Sequence, residues 1–196
     1  MIQVQRKIRR QEKILSTLDD LNYATRKQLQ VIEKLGGDRN AHRILHEMEK
    51  DKLISSIRAE QKIYYVSNKG KGVIGSHKGD LSKDRLTHTI MRNDLYIKLN
   101  MPKNWKEEQP ITWGDDRKII PDAIFRKGNE FHFVEIDNRQ KMQTNIEKIK
   151  QYKSLSKAIF QDYKHTPTLI WYSLSDIRKE KLANECVKKG LKHIIY

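Results

Sequence analysis

Apolar residues recur every three or four positions through the first fifty residues, a spacing that predicts three amphipathic helices. Thr25 can cap the second helix, Gly36–Gly37 ends it, and Asp38 can cap the third. The inward-facing positions of the three helices are Ile8, Ile14, Leu15, Leu18 and Leu21, then Leu29, Ile32 and Leu35, then Ile44, Leu45 and Met48. Between residues 53 and 67 the period changes to that of two short strands joined by a turn.

Three helices followed by a β-hairpin is the element order of a winged helix-turn-helix, to which we assign residues 1–75. The third helix, DRNAHRILHEMEK, is the predicted reading helix, because the second helix of that motif enters the major groove. Arg and Asn can form two-point contacts with guanine and adenine there. The candidate DNA-binding residues are Arg39, Asn40, His42 and Arg43, with His46 beside them, and Arg58 and Lys62 in the hairpin. The open alternative is a winged helix that serves protein contacts or dimerisation.

A glycine-rich stretch, SNKGKGVIGSHKGDLSK, follows the hairpin and holds four of the nine glycines, which predicts a loop. We place a linker at residues 76–83 and a second domain at residues 84–196. Helical and strand-like segments alternate there, which predicts an α/β sandwich with a mixed sheet and an α/β (α+β) class for the chain. The predicted helices are Leu86–Leu99, Gln143–Ser156 and Asp176–Lys189, and the predicted strands are Trp105–Trp113, Lys118–Arg126, Glu130–Asp137, Thr168–Ser173 and His193–Tyr196.

The register of one hairpin can be worked out from the two-residue turn signal Gly128–Asn129. If the residues that flank this turn pair with each other, Asp122 lies directly opposite Glu135, with Cβ atoms about 5 Å apart. Asp137 points to the same face, since side chains alternate along a strand. The sequence therefore predicts three carboxylates at one end of an otherwise apolar sheet face.

Like charges this close repel each other, and a divalent cation removes that cost. Asp122, Glu135 and Asp137 are therefore candidate metal ligands, and their oxygen atoms suit Mg²⁺ or Mn²⁺. Such a metal polarises a phosphodiester and generates hydroxide from bound water. The open alternative is that Asp122 or Asp137 caps a turn and Glu135 pairs with a nearby lysine.

The charge of the chain bears on its partners. Forty Lys and Arg residues oppose 25 Asp and Glu residues, for a net charge of +15, and both halves of the chain are basic. Nucleic acid is the favoured partner of such a charge. An anionic membrane surface ranks second, but no strongly basic helix carries a bulky aromatic apolar face.

Other classes are excluded by what the sequence lacks. Cys186 is the single cysteine, which excludes an internal disulfide framework and a multi-cysteine zinc site. No apolar run reaches the ~20 residues of a membrane span. The start, MIQVQRKIRRQEK, has no apolar segment typical of a secretory signal. These features favour a cytoplasmic protein.

Two short runs carry a family resemblance. IIPDAIF followed by FHFVEIDNRQ resembles the PD-(D/E)XK nuclease fold, which implies a restriction-endonuclease-like sandwich. PDA, then VEID, then a lysine and tyrosine on the next helix, resembles the replication-relaxation family of plasmid and mobile-element proteins. The run THTIMRNDLY is similar to the H…ND pattern of that family, here His88, Asn93 and Asp94. The resemblance extends over nearly the whole chain and implies a winged helix joined to a nuclease-like domain.

The chain departs from the nuclease motif at one position. Asp122 and Glu135 match its metal ligands, but Asp137 stands where the motif has a lysine. Lys148, one turn before the helix tyrosine, is a candidate source of the missing ammonium, and Lys141 is a weaker one. The catalytic candidates are thus Asp122, Glu135, Asp137 and Lys148. Alternatively, the site no longer cuts and the fold only holds DNA.

The expected function is double-stranded DNA binding in plasmid replication, DNA relaxation or mobilisation. Two alternatives remain open: a transcription or copy-number regulator with an inert nuclease-like domain, and an active metal-dependent endonuclease. The further candidate partners are plasmid replication or mobilisation proteins and a second copy of the chain. No membrane partner is expected.

Overall fold

A computed structural model describes residues 2–79, 82, 85–114, 116–138 and 140–196 of the protein. The chain is mixed α and β, which confirms the predicted fold class. It divides into two compact units, one that ends at Ile97 and one that runs from Lys98 to Tyr196. In these residues no helix combines the length and the apolar character that a membrane crossing requires.

The first unit combines helices with a small antiparallel sheet of strand order β1-β3-β2. Its core is built from the inner faces of the first three helices, as their spacing predicts. Ile8 is an exception at 46 % exposed, because the first helix continues past the core at its N-terminal end. The elements are α1 (Ile2–Leu21), β1 (Ala24–Thr25), α2 (Arg26–Ile32), α3 (Asp38–Lys50), β2 (Ile54–Arg58), β3 (Lys62–Val66), α4 (Asn68–Ile74) and α5 (Leu86–Lys98).

The glycine-rich stretch, predicted as a loop, contains the helix α4. Ser67 caps this helix by accepting a hydrogen bond from the Gly70 amide at 3.0 Å. Gly70 also packs against the backbone, since an added Cβ would lie 2.0 Å from the Leu53 carbonyl oxygen. The glycine therefore permits a close contact rather than breaking the helix, which is why the loop prediction was wrong here.

Replacing Gly70 by alanine is expected to lower the free energy of unfolding by about 3 kcal/mol, because the new methyl group overlaps a backbone oxygen. Gly72 lies in the same helix with open space around its Cβ position. Gly72→Ala is the matched control and should raise stability by about 0.5–1 kcal/mol. Urea unfolding of both variants measures the difference, and equal effects would contradict the close contact.

Helix α5, predicted to open the second domain, packs with the first unit. The Asn93 amide donates to the Tyr23 carbonyl at 2.6 Å, and the Gln28 amide donates to Asp94 at 2.7 Å. Two residues of the H…ND pattern therefore hold α5 against the first unit. The division between compact units falls one helix later than the predicted linker at 76–83, of which residues 80, 81 and 83 lie outside the described residues.

The second unit is built on a mixed five-stranded sheet of order β10-β9-β8-β7-β4. Strands β8, β9 and β10 are parallel, whereas β7 and β4 are antiparallel to their neighbours. The elements are β4 (Lys106–Glu107), β5 (Ile111–Trp113), β6 (Arg117–Ile119), β7 (Ala123–Lys127), β8 (Glu130–Asp137), α6 (Met142–Tyr163), β9 (Thr168–Ser173), α7 (Asp176–Lys188) and β10 (His193–Ile195).

Two of the predicted strands are divided, and one predicted register is confirmed. The strand expected over residues 118–126 ends at Ile119 and resumes at Ala123, as β6 and β7. The single strand expected over residues 105–113 is divided, because Glu108 has a positive φ of 50° and Pro110, which lacks an amide donor, precedes β5. The register of β7 and β8 is confirmed, with Lys127 opposite Glu130 and Ala123 opposite Val134. That register brings the residue before β7 to the buried part of β8.

Candidate functional site

Glu135 is the centre of the site and is fully buried in the middle strand of the sheet. The Tyr152 hydroxyl donates to its Oε1 at 2.7 Å, and the Lys148 ammonium donates to its Oε2 at 2.5 Å. Lys148 and Tyr152 lie one turn apart on the same face of α6. The ammonium that was predicted to come from α6 therefore lies directly on the Glu135 carboxylate.

Asp122 joins this group from the residue before β7. Its Oδ2 accepts a hydrogen bond from the Ile136 amide at 2.6 Å, which holds it beside β8. Burial, with a further contribution from the Asp122 charge, raises the pKa of Glu135 to about 8. Burial lowers the pKa of Lys148, but the Glu135 and Asp122 charges raise it by more, so its net shift is upward. We call Asp122, Glu135, Lys148 and Tyr152 the Glu135 site.

Asp137 does not join the Glu135 site, although it lies on the same face of β8. Arg178 donates to both of its oxygens, from Nε at 2.6 Å and from Nη2 at 2.5 Å. Asn145 and Ser173 each donate one further hydrogen bond, at 2.8 and 2.9 Å. Burial raises the pKa of Asp137, but these donors lower it by more, so the net shift is downward. Each oxygen accepts two hydrogen bonds, which is what an ionised carboxylate needs when it is buried.

The predicted three-carboxylate cluster is therefore reduced to Asp122 and Glu135. Among the residues that the structure describes, no group of three His, Cys, Asp or Glu side chains is arranged to hold a metal ion. Strand alternation correctly put Asp137 on this face, but Arg178 comes from α7, 41 positions further along the chain. No local pattern in the sequence indicates that partner. Asn145 could have been found, since it lies one turn before Lys148 on α6.

Asp122 and Glu135 are the residues of the Glu135 site that could hold Mg²⁺ or Mn²⁺. Both groups are carboxylates, and each Glu135 oxygen accepts one described hydrogen bond, which leaves it a second lone pair. The raised pKa of Glu135 reflects first the burial of its carboxylate and second the Asp122 charge beside it, and a cation would offset both. Two carboxylate ligands leave most coordination positions for water or phosphate oxygens. Lys141, the weaker lysine candidate, is exposed at the start of α6.

A pH dependence of stability follows from Glu135. Its pKa is about 8 in the folded protein against an ordinary 4.5, so between these values the folded state keeps a proton that the unfolded state has released. The free energy of unfolding should therefore fall as pH rises from about 5 to 8 in the absence of metal. Glu135→Gln should flatten this slope, and urea unfolding across that range measures it. An unchanged slope in the variant would contradict the raised pKa.

The outer face of α3 carries the side chains predicted to read DNA. Arg39, Asn40, His42, Arg43 and His46 are all exposed, while the opposite face of the helix is buried in the core. The His42 and His46 rings stack at 6.0 Å with nearly parallel planes. The structure thus brings the five predicted helix residues onto one exposed surface.

Asn40 and Arg43 are not independent on this surface. The Asn40 amide donates to the Leu35 carbonyl at 2.7 Å and accepts from Arg43 at 2.9 Å. Arg43 also forms an ion pair with Glu47 at 2.6 Å. Asn40 therefore holds the turn before α3 and orients Arg43, a role that the sequence did not indicate.

The two hairpin residues differ in their surroundings. Arg58 and Lys62 face each other where β2 and β3 meet the turn. The Lys62 ammonium forms an ion pair with Glu49 of α3 at 2.6 Å, which Ser56 supports with its own hydrogen bond to that carboxylate. Arg58 is exposed at the end of the hairpin. Lys62 therefore links the hairpin to α3, and Arg58 is the more available cation.

A sequence profile described as replication-relaxation matches residues 15–170, which is most of the chain. A search of curated proteins finds no match. Among solved structures, that of Can2 from Sulfobacillus thermosulfidooxidans in complex with cyclic tetra-adenylate is similar, at 13 % identity and a TM-score of 0.35. The alignment covers 95 % of this chain and 50 % of that one, so this chain spans about half its length. By the profile match, the chain belongs to the replication-relaxation family.

Proposed function

We propose that the protein binds double-stranded DNA through α3 and the β2–β3 hairpin, in the manner of a winged helix-turn-helix. The observation that carries this proposal is the outer face of α3, where five exposed side chains that can hydrogen-bond lie on one surface. The element order α1-β1-α2-α3-β2-β3 with sheet order β1-β3-β2 supports it. Helix α3 follows α2 after a short turn, as the reading helix of such a motif does.

The chemistry of this surface suits a duplex. Arg39 and Arg43 are one turn apart and both exposed, so they can reach neighbouring base pairs or phosphates in one groove. The exposed Arg58 adds a cation on the β2–β3 hairpin, which takes the position of the wing in a winged helix. A fluorescence anisotropy titration with duplex DNA at several salt concentrations tests the proposal, because neutralised phosphates release counterions and give a steep salt dependence. Binding that is absent, or independent of salt, would contradict it.

The Glu135 site favours a second candidate function, cleavage or nicking of DNA with a divalent metal. The supporting observation is the Lys148 ammonium on Glu135, which supplies the cation that the motif position at Asp137 lacks. Asp122 and Glu135 would hold Mg²⁺ or Mn²⁺, which polarises a phosphodiester and lowers the pKa of bound water. Lys148 would stabilise negative charge that develops on the phosphate, and Tyr152 would keep Glu135 oriented.

The ion pair between Asp137 and Arg178 favours the other alternative, a regulator whose nuclease-like domain is inert. Arg178 neutralises that carboxylate, so the residue in the lysine position of the motif serves the fold. Incubation of supercoiled plasmid with the protein and Mg²⁺ or Mn²⁺ separates the two alternatives. Nicked or linear product that disappears with EDTA supports the nuclease, and an unchanged plasmid supports the regulator.

A further inference from the structure

The outer face of α6 carries a row of residues that neither proposed site uses. Lys150, Lys153, Lys157 and Phe160 follow one another at spacings of three, four and three positions, and Lys164 comes directly after the last residue of the helix. Residues at such spacings lie in one line along a helix, which here is about 15 Å long from Lys150 to Phe160. We call these five residues the α6 row.

The row is positively charged within the described part of the chain. Lys150 forms an ion pair with Glu147 at 2.9 Å. Lys153 and Lys164 instead donate to backbone carbonyl oxygens, those of Gly190 and Gln161. These carbonyls carry no net charge, so at least these two ammonium groups remain uncompensated. The α6 row therefore offers cations spaced along a line, which suits a chain of phosphates.

Two aromatic side chains are exposed at the C-terminal end of this row. Phe160 is 55 % exposed and Tyr163 is 58 % exposed, although the inner face of the same helix is buried. The Tyr163 ring packs edge-on against Phe131 at 5.3 Å, with an angle of 81° between the planes. That contact holds the ring in one orientation while much of it stays accessible.

We propose that the α6 row, with Tyr163, binds single-stranded nucleic acid. The lysines contact successive phosphates, and the rings of Phe160 and Tyr163 stack on unpaired bases. Aromatic platforms inside a basic groove are the usual means of holding a single strand, because every base offers a flat face. A duplex offers the same phosphates but keeps its bases stacked inside, so exposed rings add little to duplex binding.

The arrangement does not suit an anionic membrane. A membrane-bound helix inserts a continuous apolar face, and the apolar face of α6 is buried in the core of its own unit. The large exposed apolar side chains of α6 itself are the rings of Phe160 and Tyr163, which lie within one helical turn. A single strand matches both features, since it presents phosphates along a line and bases that can stack at one end.

The test uses three labelled 20-nucleotide probes: oligo-dT, an abasic strand with the same number of phosphates, and a duplex. Fluorescence anisotropy of the full chain should show tighter binding to oligo-dT than to the abasic strand. The double variant Phe160→Ala, Tyr163→Ala should lose about 100-fold in affinity for oligo-dT, at roughly tenfold for each stacked base. Its affinities for the duplex and the abasic strand should stay within about twofold.

Matched variants distinguish the loss of stacking from the loss of exposed apolar area and from unfolding of the protein. Leu174 and Ile177 are similarly exposed apolar residues of the same unit, at 70 % and 69 %, and their double alanine variant should bind oligo-dT normally. Phe160→Trp should retain binding, since the larger ring still stacks. Thermal unfolding of each variant verifies the fold.

The lysines are tested through the salt dependence of oligo-dT binding. Replacing Lys157 and Lys164 by glutamine should reduce the slope against salt by about 0.7 for each lost phosphate contact. Lys179 and Lys188 of α7, which form ion pairs, are the control pair. Equal affinity for oligo-dT and the abasic strand, an aromatic double variant that still binds oligo-dT, or an equal loss on the duplex would each overturn the proposal.

Discussion

Replacing Arg39 and Arg43 together by alanine is expected to lower the affinity for duplex DNA at least about 30-fold. Each arginine that contacts a base is worth about 1–3 kcal/mol, and the two lie one turn apart on the exposed face of α3. Arg43 is already oriented by Asn40 and Glu47, so little side-chain freedom is lost when it binds. Anisotropy titrations of the wild-type protein and the variant at one salt concentration measure the change.

The matched control removes the same charge from the same unit. Arg6 and Arg9 are exposed on α1, outside the proposed reading helix and hairpin, and their double alanine variant should lose only a small part of the affinity. We leave Asn40 unchanged because it bonds to the Leu35 carbonyl, so its loss would also disturb the turn before α3. Equal losses in the two double variants would mean that binding depends on total charge, and α3 would not be the reading helix.

Local patterns predicted the parts of the fold that local chemistry determines. The Gly128–Asn129 turn was enough to give the register of β7 and β8, since a two-residue turn leaves little choice of pairing. Helical periodicity likewise put Lys148 and Tyr152 on one face of α6, where both reach Glu135. In these cases the partner lies on a neighbouring strand or within one turn of a helix.

The sequence patterns gave wrong predictions where a residue far along the chain determines the conformation or role of another. In the sequence, Gly70 predicts a break in helical structure. In the structure it lies within α4, where its missing side chain leaves room for the Leu53 backbone, and no local pattern indicates that contact. The position of Asp137 on the strand predicts a metal ligand, but Arg178 of α7 forms an ion pair with its carboxylate. Both errors have the same cause, because composition and spacing describe what a residue can do and tertiary packing selects among those uses.

The Asp137–Arg178 pair also changes how the run that resembles a nuclease motif is interpreted. That motif has a lysine two positions after its second acid, whereas here the cation beside Glu135 comes from α6. Asp137 and Arg178 instead connect β8 to the start of α7. An acid in the lysine position is therefore compatible with an ammonium group at the Glu135 site, because Lys148 of α6 supplies that group.

Asp122→Asn is expected to abolish any rise in melting temperature that Mg²⁺ or Mn²⁺ causes in the wild-type protein. A metal that binds only the folded state raises the melting temperature, and Asp122 is one of two carboxylates that would hold it. The amide oxygen of asparagine can still accept from the Ile136 amide, so the local backbone contact is kept. Without metal the pKa of Glu135 should be lower in the variant than in wild type, because the Asp122 charge, which adds to the effect of burial, is gone.

Lys148→Gln is expected to separate metal binding from nicking. Glutamine can still donate to Glu135 but carries no charge, so the metal-dependent shift should remain while the nicking rate falls by about 10²–10³. Lys141→Gln, at the exposed start of α6, is the matched control and should change neither quantity. Scanning fluorimetry and relaxation of supercoiled plasmid measure the two effects. A wild-type protein without a metal-dependent shift would refute the metal site, and a shift without nicking would identify the inert regulator. Equal nicking by the two lysine variants would show that Lys148 does not supply the missing cation.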